Sequence, residues 1–171
     1  MITRLASRDD VEALARIYNE GIEDRVATFQ VEPRSREQML AWFDGDHPFV
    51  VAEDAGEVVA WASAHPYRPG RAWYDGVAEF SIYVTRSAQG RGVGRATLQA
   101  LLDESERRGC WKLLSRIFPE NEASLALCRS LGFREVGVYH RHGKLDGEWR
   151  DCVIVEKLLG EAASSETGSR G

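Results

Sequence analysis

A carboxylate and a glycine-rich loop stand close together in the middle of the chain. Glu79 is followed ten positions later by the run Gln89-Gly90-Arg91-Gly92-Val93-Gly94-Arg95. Three glycines within five residues leave backbone N–H groups uncovered just before a predicted helix, and the positive end of the helix dipole adds to their attraction for an oxyanion. Arg86, Arg91 and Arg95 add positive charge around the loop. The spacing therefore predicts a phosphate site beside a carboxylate that could accept a proton.

The residues around the loop predict a strand, a turn and a helix in succession. In the stretch 78–84, small or apolar residues alternate with Glu79, Ser81 and Tyr83, which predicts one face that packs and another that lines a site. After the loop, leucines at helical spacing predict a helix that ends at Arg108, with Gly109 as its C-cap. The loop has the spacing Gln-x-x-Gly-x-Gly, which is neither the dinucleotide fingerprint nor a P-loop.

This spacing resembles the pyrophosphate loop of the GNAT acyl-CoA N-acyltransferases. A second segment, from Asn121 to the Leu-Gly-Phe that ends at Phe133, is similar to the helix that contacts the coenzyme in that family. The resemblance extends over nearly the whole chain. It implies an α/β (α+β) GNAT fold, a mixed and mostly antiparallel sheet of about seven strands with helices on both faces. It also implies acetyl-CoA as cosubstrate and no metal.

The resemblance further implies which residues hold the coenzyme. The backbone of Ile82, Tyr83 and Val84 would pair with the pantetheine arm, and its N–H groups would stabilise the oxyanion of the tetrahedral intermediate. Asn121 would contact the coenzyme, although an asparagine here also suits plain helix capping. The expected coenzyme-binding residues are Ile82, Tyr83, Val84, Gln89, Gly90, Arg91, Gly92, Val93, Gly94, Arg95, Asn121 and Ser124.

In the family that this chain resembles, the general base occupies the position of Glu79. Acetyl transfer needs a neutral amine, whereas a free amine is largely protonated at neutral pH, so a base must remove a proton. Glu79 could do so directly or through one water, and an ordinary surface carboxylate is the alternative. Many family members have Tyr or His where this chain has Cys128, and that residue can protonate the leaving thiolate. Cys128 could serve as this acid or only pack in the core.

Several short segments narrow the resemblance to the phosphinothricin acetyltransferases, and within them to the arsinothricin N-acetyltransferases. They include residues 17–21, 27–29 and 144–151. This resemblance implies a homodimer that acetylates the α-amine of a small glutamate analogue, such as phosphinothricin, methionine sulfoximine or arsinothricin, and so confers resistance by detoxification. The expected substrate-binding residues are Phe29, Arg71, Trp73, Tyr74 and Lys144.

Two other functions stay open at this point. The same chemistry could act on another amine, such as a polyamine or a protein N-terminus, although a polyamine enzyme should present carboxylates where this chain has Arg68 and Arg71. A noncatalytic CoA-binding module is the other alternative. An intact Glu79 beside an intact phosphate loop disfavours it.

Composition and cysteine content set the broad class of the protein. The chain has 171 residues, 43% of them hydrophobic, and a formal net charge of -5, which predicts one globular domain and argues against a nucleic-acid partner. We find neither a signal peptide nor a membrane span, and the three cysteines suggest reduced thiols, so we expect a cytoplasmic protein. His140-x-His142 has no third ligand nearby, which disfavours a metal site.

The remaining pattern predicts the order β, α, α, β, β, β, α, β, α, β, β. Capping boxes at Ser7-x-x-Asp10 and Ser35-x-x-Gln38 start the first two helices. Residues 1–159 are expected to form the GNAT domain. Residues 160–171 are small and polar, which predicts a disordered tail.

Overall fold

The computed structural model describes residues 1–165 and contains one seven-stranded sheet. The strands are β1 Ile2–Leu5, β2 Phe49–Asp54, β3 Glu57–Pro66, β4 Val77–Val84, β5 Lys112–Ile117, β6 Arg134–Leu145 and β7 Glu148–Leu158. The helices are α1 Val11–Glu23, α2 Arg36–Leu40, α3 Val93–Arg107, α4 Glu122–Ser130 and α5 Gly160–Ser165. The order across the sheet is β1-β2-β3-β4-β5-β7-β6, and every pairing is antiparallel except that of β4 with β5. The predicted mixed, mostly antiparallel sheet is confirmed.

Both faces of the central strands pack against helices. On one face, Phe80 of β4 joins a core with Leu98 of α3 and Leu125 of α4. On the other face, Trp61 and Tyr83 pack with residues of α1 and α2. Neighbouring residues of a strand point to opposite faces, so this arrangement buries both sides of β4.

The prediction that Tyr83 points to an open site is wrong. Its side chain is only 8% exposed, and its ring lies 4.7 Å from the ring of Trp61 and 4.8 Å from that of Tyr18. A Cβ atom at Gly21 of α1 would lie 2.7 Å from the Tyr83 ring, so the helix can cross here only because Gly21 has no side chain. Tyr83 is therefore available to a ligand mainly through its backbone.

The two predicted capping boxes occur at the expected residues. Ser35 accepts a hydrogen bond from the Gln38 backbone N–H at 3.3 Å, and the Ser35 N–H donates to the Gln38 side chain at 2.9 Å. The Ser7 N–H donates to Asp10 Oδ2 at 2.8 Å, at a 3₁₀ turn that leads into α1. Arg4 also donates to Asp10, and this contact lowers the pKa of the Asp10 carboxyl.

The structure differs from the sequence-based expectation at two elements near the C-terminus. The sequence pattern predicts a strand over 133–139 only, whereas β6 continues to Leu145, because its residues keep pairing with β7 across an irregular stretch. The segment expected to be a disordered tail begins with the short helix α5. Glu161, Ala162 and Ala163 are good helix formers, and Glu161 lies in the first turn, where the helix dipole favours a carboxylate. The rest of that expected tail lies outside the described residues.

Candidate active site

The two parallel strands at the centre of the sheet separate directly after Glu79. Their pairing covers only Val77–Glu79 against Lys112–Leu114, although β4 continues to Val84 and β5 to Ile117. Beyond the split, the Ser115 hydroxyl donates to the Phe80 carbonyl at 2.9 Å. The backbone of β4 past this point has lost its neighbour on one side and is open to a ligand that pairs like a strand.

Two cavities open along the separated strands. The smaller, of about 40 Å³, lies between β4 and β5. The larger, of about 870 Å³, runs along β4 to the glycine loop and the start of α4. The two share Ala27, Ile82, Tyr83, Asn121 and Ser124 as lining residues and so meet along β4. Together these two cavities form one cleft, which leads from the glycine loop to the split beside Glu79.

The glycine loop has the shape of an anion cradle. Gly90 and Gly92 have φ angles of +73° and +81°, a left-handed conformation that favours glycine. Gly92 is the N-cap of α3, so the unpaired N–H groups of the first helical turn lie at the cleft. A Cβ at Gly90 or Gly92 would meet no atom within 4 Å, which shows that the space beside the loop is open. These residues fit a bound diphosphate.

The three arginines around the loop are not equivalent. Arg95 lines the cleft and donates from Nη1 to both the carbonyl and the hydroxyl of Ser130 at 2.8 Å. Arg91 is paired with Asp54 at 2.8 Å and does not line the cleft. Arg86 is paired with Glu23 and Asp24 of the α1 segment, so the expectation that its charge serves the loop is wrong.

Most of the expected coenzyme-binding residues lie together on the cleft. Those that line it are Ile82, Tyr83, Val84, Gln89, Gly90, Gly92, Gly94, Arg95, Asn121 and Ser124. Val93, in contrast, is only 2% exposed and packs with Ala52, Ala60 and Ala88. The structure therefore places Val93 in the core and Arg91 on an ion pair outside the cleft, whereas the loop glycines, Gln89 and Arg95 line the open space.

Glu79 lies at the split and is held by a residue that the sequence did not indicate. Arg116 of β5 approaches one carboxylate oxygen of Glu79, Oε1, from Nε at 2.7 Å and from Nη2 at 2.6 Å. The side chain of Glu79 is 28% exposed, and that of Arg116 is 47% exposed. Alternation along β5 puts Arg116 on the same face as Leu114, the register partner of Glu79. The strand β5 has two cations, Lys112 and Arg116, and nothing in the sequence marked Arg116 as the partner of Glu79.

The five expected substrate-binding residues are not brought together. Phe29 packs edge to face on Phe118, at 4.8 Å between ring centroids, and Phe118 lines the smaller cavity. Arg71 lies over the exposed ring of Trp73, and Tyr74 contacts the ring of Tyr67, all on the loop between β3 and β4. Lys144 stacks on Trp149 in the β6–β7 hairpin. None of the five lines the cleft.

Cys128 lies in the smaller cavity and also in the main core. It is 2% exposed, and burial raises the pKa of its thiol to about 12. A group with so high a pKa gives up its proton less readily than an ordinary thiol of pKa about 8.5. The geometry thus favours packing over acid catalysis for this residue.

Residues 1–165 contain neither a candidate metal cluster nor a membrane-spanning helix. No cluster of three or more His, Cys, Asp or Glu side chains in this part of the chain could hold a metal ion. Across the same residues, no helix combines the length and the apolar character needed to span a bilayer.

Comparison with known proteins identifies relatives of the whole domain. The model of the acetyltransferase (GNAT) family matches residues 14–133. A Bacillus subtilis protein named as a candidate phosphinothricin acetyltransferase is 37% identical, over 93% of this chain and 99% of its own length. The L-methionine sulfoximine/L-methionine sulfone acetyltransferase of Salmonella typhimurium is 31% identical, over 97% of this chain and 99% of its own length.

A solved structure of a phosphinothricin acetyltransferase is also similar to this chain. The GNAT superfamily phosphinothricin acetyltransferase of Sinorhizobium meliloti, in complex with acetyl-CoA, superposes with a TM-score of 0.88 at 32% identity, over 95% of this chain and 90% of that one. The fold, the family match and the relatives over nearly the full length agree with one another. The chain belongs to the GNAT family of acetyltransferases.

Proposed function

We propose that this N-acetyltransferase uses acetyl-CoA to acetylate the α-amine of a small glutamate-like amino acid. The observation that carries the proposal is the cleft itself, which connects an anion cradle at the start of α3 to the open edge of β4 beside Glu79. The relatives named for phosphinothricin and for methionine sulfoximine support this class of acceptor.

In this proposal the coenzyme supplies an activated acetyl group as a thioester. The N–H groups of Gly92 and Gly94, with the dipole of α3, would hold the diphosphate. The free backbone of Ile82 and Val84 would pair with the pantetheine arm, and N–H groups of the same stretch would stabilise negative charge on the carbonyl oxygen. The chain thus positions the thioester near the split.

Glu79 would act as the general base. The acceptor nitrogen forms a bond to the acetyl carbon while the bond from that carbon to sulfur breaks, and the sulfur leaves as a thiolate. The amine gives up a proton, which Glu79 accepts directly or through one water. Oε1 of Glu79 faces Arg116, and we find no hydrogen bond to Oε2 among residues 1–165. Oε2 is therefore the oxygen that we propose accepts this proton.

The proposal also covers the residues that would contact the acceptor. Phosphinothricin, methionine sulfoximine and arsinothricin all combine an α-amine, an α-carboxylate and a polar side group. Arg71 and Tyr74, on the loop that leads into β4, would contact the side group after a movement of that loop. Acetylation would remove the positive charge of the amine and so inactivate a toxic analogue.

We propose the cytoplasm as the compartment of this enzyme, in keeping with the free thiols of Cys110, Cys128 and Cys152.

A second copy of the chain is proposed as a partner at the edge of the sheet. The edge strand β6 presents exposed Val136, Val138 and Tyr139, and the adjoining hairpin presents exposed Trp149. An edge strand with apolar side chains is prone to pair with another chain. Light scattering should give the mass of a dimer, and Val138→Lys should shift the mass toward the monomer.

A panel of acceptors tests the proposed substrate class. Thiol release from acetyl-CoA is measured with phosphinothricin, methionine sulfoximine, arsinothricin, common amino acids, spermidine and a short peptide. We expect saturable activity on the glutamate analogues and little on spermidine or the peptide. The highest kcat/KM with spermidine or the peptide would contradict the proposal and support the alternative acceptors.

A further inference from the structure

The Glu79–Arg116 pair is an accessible pair of opposite charges at the split between β4 and β5. Nε and Nη2 of Arg116 both contact Oε1 of Glu79, at 2.7 and 2.6 Å. Nearly half of the Arg116 side chain is exposed, and Arg116 also lines the smaller cavity. Arg116 is thus in contact with the space through which an acceptor would approach the thioester, and it joins that space to Glu79.

Arg116 retains hydrogen-bonding capacity beyond its contact with Glu79. A guanidinium carries five N–H groups in a planar fork, and only one edge of the fork faces Glu79. In the part of the chain that the structure describes, Nη1 of Arg116 donates to no other group. This nitrogen and the second N–H of Nη2 can bind another carboxylate while Glu79 stays in place.

The other cations near the expected acceptor lie elsewhere. Arg71 rests over the ring of Trp73 at 5.7 Å, and Lys144 rests over that of Trp149 at 4.5 Å. Neither contacts Glu79 or lines the cleft. Of Arg71, Lys144 and Arg116, only Arg116 contacts the proposed base.

The charges of the pair are complementary to the head group of a free α-amino acid. Such a molecule carries an amine and a carboxylate on the same carbon atom, so two adjacent groups of opposite charge can bind both at once. An amine bound at Glu79 would place its α-carboxylate beside Arg116. A peptide N-terminus or a polyamine has no such carboxylate and would leave the guanidinium without this partner.

We propose that Arg116 is a specificity-determining residue that binds the α-carboxylate of the acceptor, so that Glu79 and Arg116 together select free α-amino acids. This inference rests on the proposed function and deepens it. It assigns the selection of the head group to the strand β5, whereas the β3–β4 loop is left to contact the side group.

A matched pair of acceptors tests this role. We compare kcat/KM for L-methionine sulfoximine and for the same molecule with its α-carboxylate converted to a carboxamide. The wild-type enzyme should prefer the free acid by about 100-fold, because the edge of the Arg116 guanidinium that faces away from Glu79 has no anionic partner when the amide is bound. Arg116→Gln should lower kcat/KM for the acid by about 100-fold and bring the ratio close to one. Arg116→Lys should keep part of the preference.

Three further measurements make the test specific. Calorimetry should show that Arg116→Gln weakens binding of methionine sulfoximine while binding of acetyl-CoA is unchanged. Arg134→Gln removes another exposed arginine that is paired with a glutamate, Glu156, on the neighbouring strands, and it should leave the acid-to-amide ratio unchanged. Thermal unfolding shows whether each variant is folded.

The possible failures are distinguishable. If wild type acetylates both acceptors equally well, the role of Arg116 is overturned while the proposed function stands, and this result needs no variant. If Arg116→Gln lowers activity on the acid and the amide by the same factor, Arg116 only positions Glu79 and the inference is also overturned. If wild type releases no thiol with any free α-amino acid, the proposed function and this inference fall together.

Discussion

The side-chain amide of Asn121 joins α4 to the loop that follows α1. Its Nδ2 donates to the carbonyl of Val26 at 3.2 Å, and its Oδ1 accepts from the Ser124 N–H at 3.1 Å. Val26 and Asn121 both line the cleft, so this amide fixes the distance between two of its walls. One residue therefore caps a helix and ties down a loop 95 positions away in the chain.

Two substitutions separate these contributions of Asn121. Asn121→Asp keeps the oxygen that caps α4 but loses the donor to Val26, and it should leave stability within about 0.5 kcal/mol. Asn121→Ala loses both and should cost about 1 kcal/mol in urea unfolding. Both should weaken acetyl-CoA binding measured by calorimetry, because the wall at Val26 is released. An unchanged affinity in both would contradict a role of the Asn121–Val26 contact in shaping the cleft.

Glu79→Gln should separate turnover from coenzyme binding. The amide keeps the size of the side chain but cannot accept the proton, so kcat should fall by about 100-fold or more. The dissociation constant of acetyl-CoA should stay within about twofold, since Glu79 does not line the cleft. Glu57→Gln, at the exposed β2–β3 turn, is the matched control. Equal losses of turnover and coenzyme affinity would mean that Glu79 is structural.

A pair of substitutions at Gly92 tests the anion cradle. Asn and Asp have the same size and both tolerate the left-handed conformation better than other residues, so Gly92→Asn and Gly92→Asp should cost similar stability. Only the second adds a negative charge beside the proposed diphosphate. Acetyl-CoA affinity should therefore fall by about tenfold more in Gly92→Asp than in Gly92→Asn. This difference between the two variants should be larger at low salt, where charges are screened less. Equal affinities would argue against a phosphate at this loop.

Cys128→Ala should leave catalysis nearly intact. Because burial raises the thiol pKa to about 12, Cys128 is a poor donor for a leaving thiolate. We expect kcat to stay within about threefold, and we expect a loss of about 1 kcal/mol in stability from the smaller side chain in the core. Steady-state kinetics and urea unfolding measure the two effects. A 100-fold loss of kcat in a folded variant would show that Cys128 is the acid.

His65 should make the protein sensitive to mild acid. Burial lowers its pKa to about 4 from the ordinary value of 6.5, and the ring of His47, 4.0 Å away between centroids, adds to the shift. As the pH falls below 6.5, the unfolded chain binds a proton that the folded protein does not bind until about pH 4. The stability that this neutral histidine contributes is therefore present above pH 6.5 and is lost between 6.5 and about 4.

Urea unfolding near neutral pH and at about pH 4.5 measures this effect. His65→Gln should reduce the acid-induced loss of stability by about 2 kcal/mol, allowing for partial solvent screening. His142→Gln, at an exposed position of β6, should not change it. If wild type and His65→Gln lose the same stability on acidification, other groups are responsible.

The elements that form from local interactions were predictable from the sequence. The capping boxes at Ser7 and Ser35 and the glycine loop before α3 all appear where the pattern placed them, and so does the β2–β3 hairpin that the turn Asp54-Ala55-Gly56-Glu57 predicts. Each depends on hydrogen bonds or backbone angles within a few residues, so short stretches of sequence contain the relevant information. The order of the elements along the chain followed from the same local patterns, and the family resemblance implied the mixed, mostly antiparallel sheet.

The contacts that shape the proposed site were decided by the tertiary structure. Arg116 meets Glu79 across 37 positions, and Asn121 meets Val26 across 95, because β5 lies beside β4 and α4 packs near the end of α1. Tyr83 is buried because a helix crosses it, which alternation along one strand cannot reveal. The sequence by itself determined the local elements and the residue types available for chemistry. Packing of distant segments decided which side chains face the cleft, since burial and charge pairing depend on neighbours that are remote in the chain.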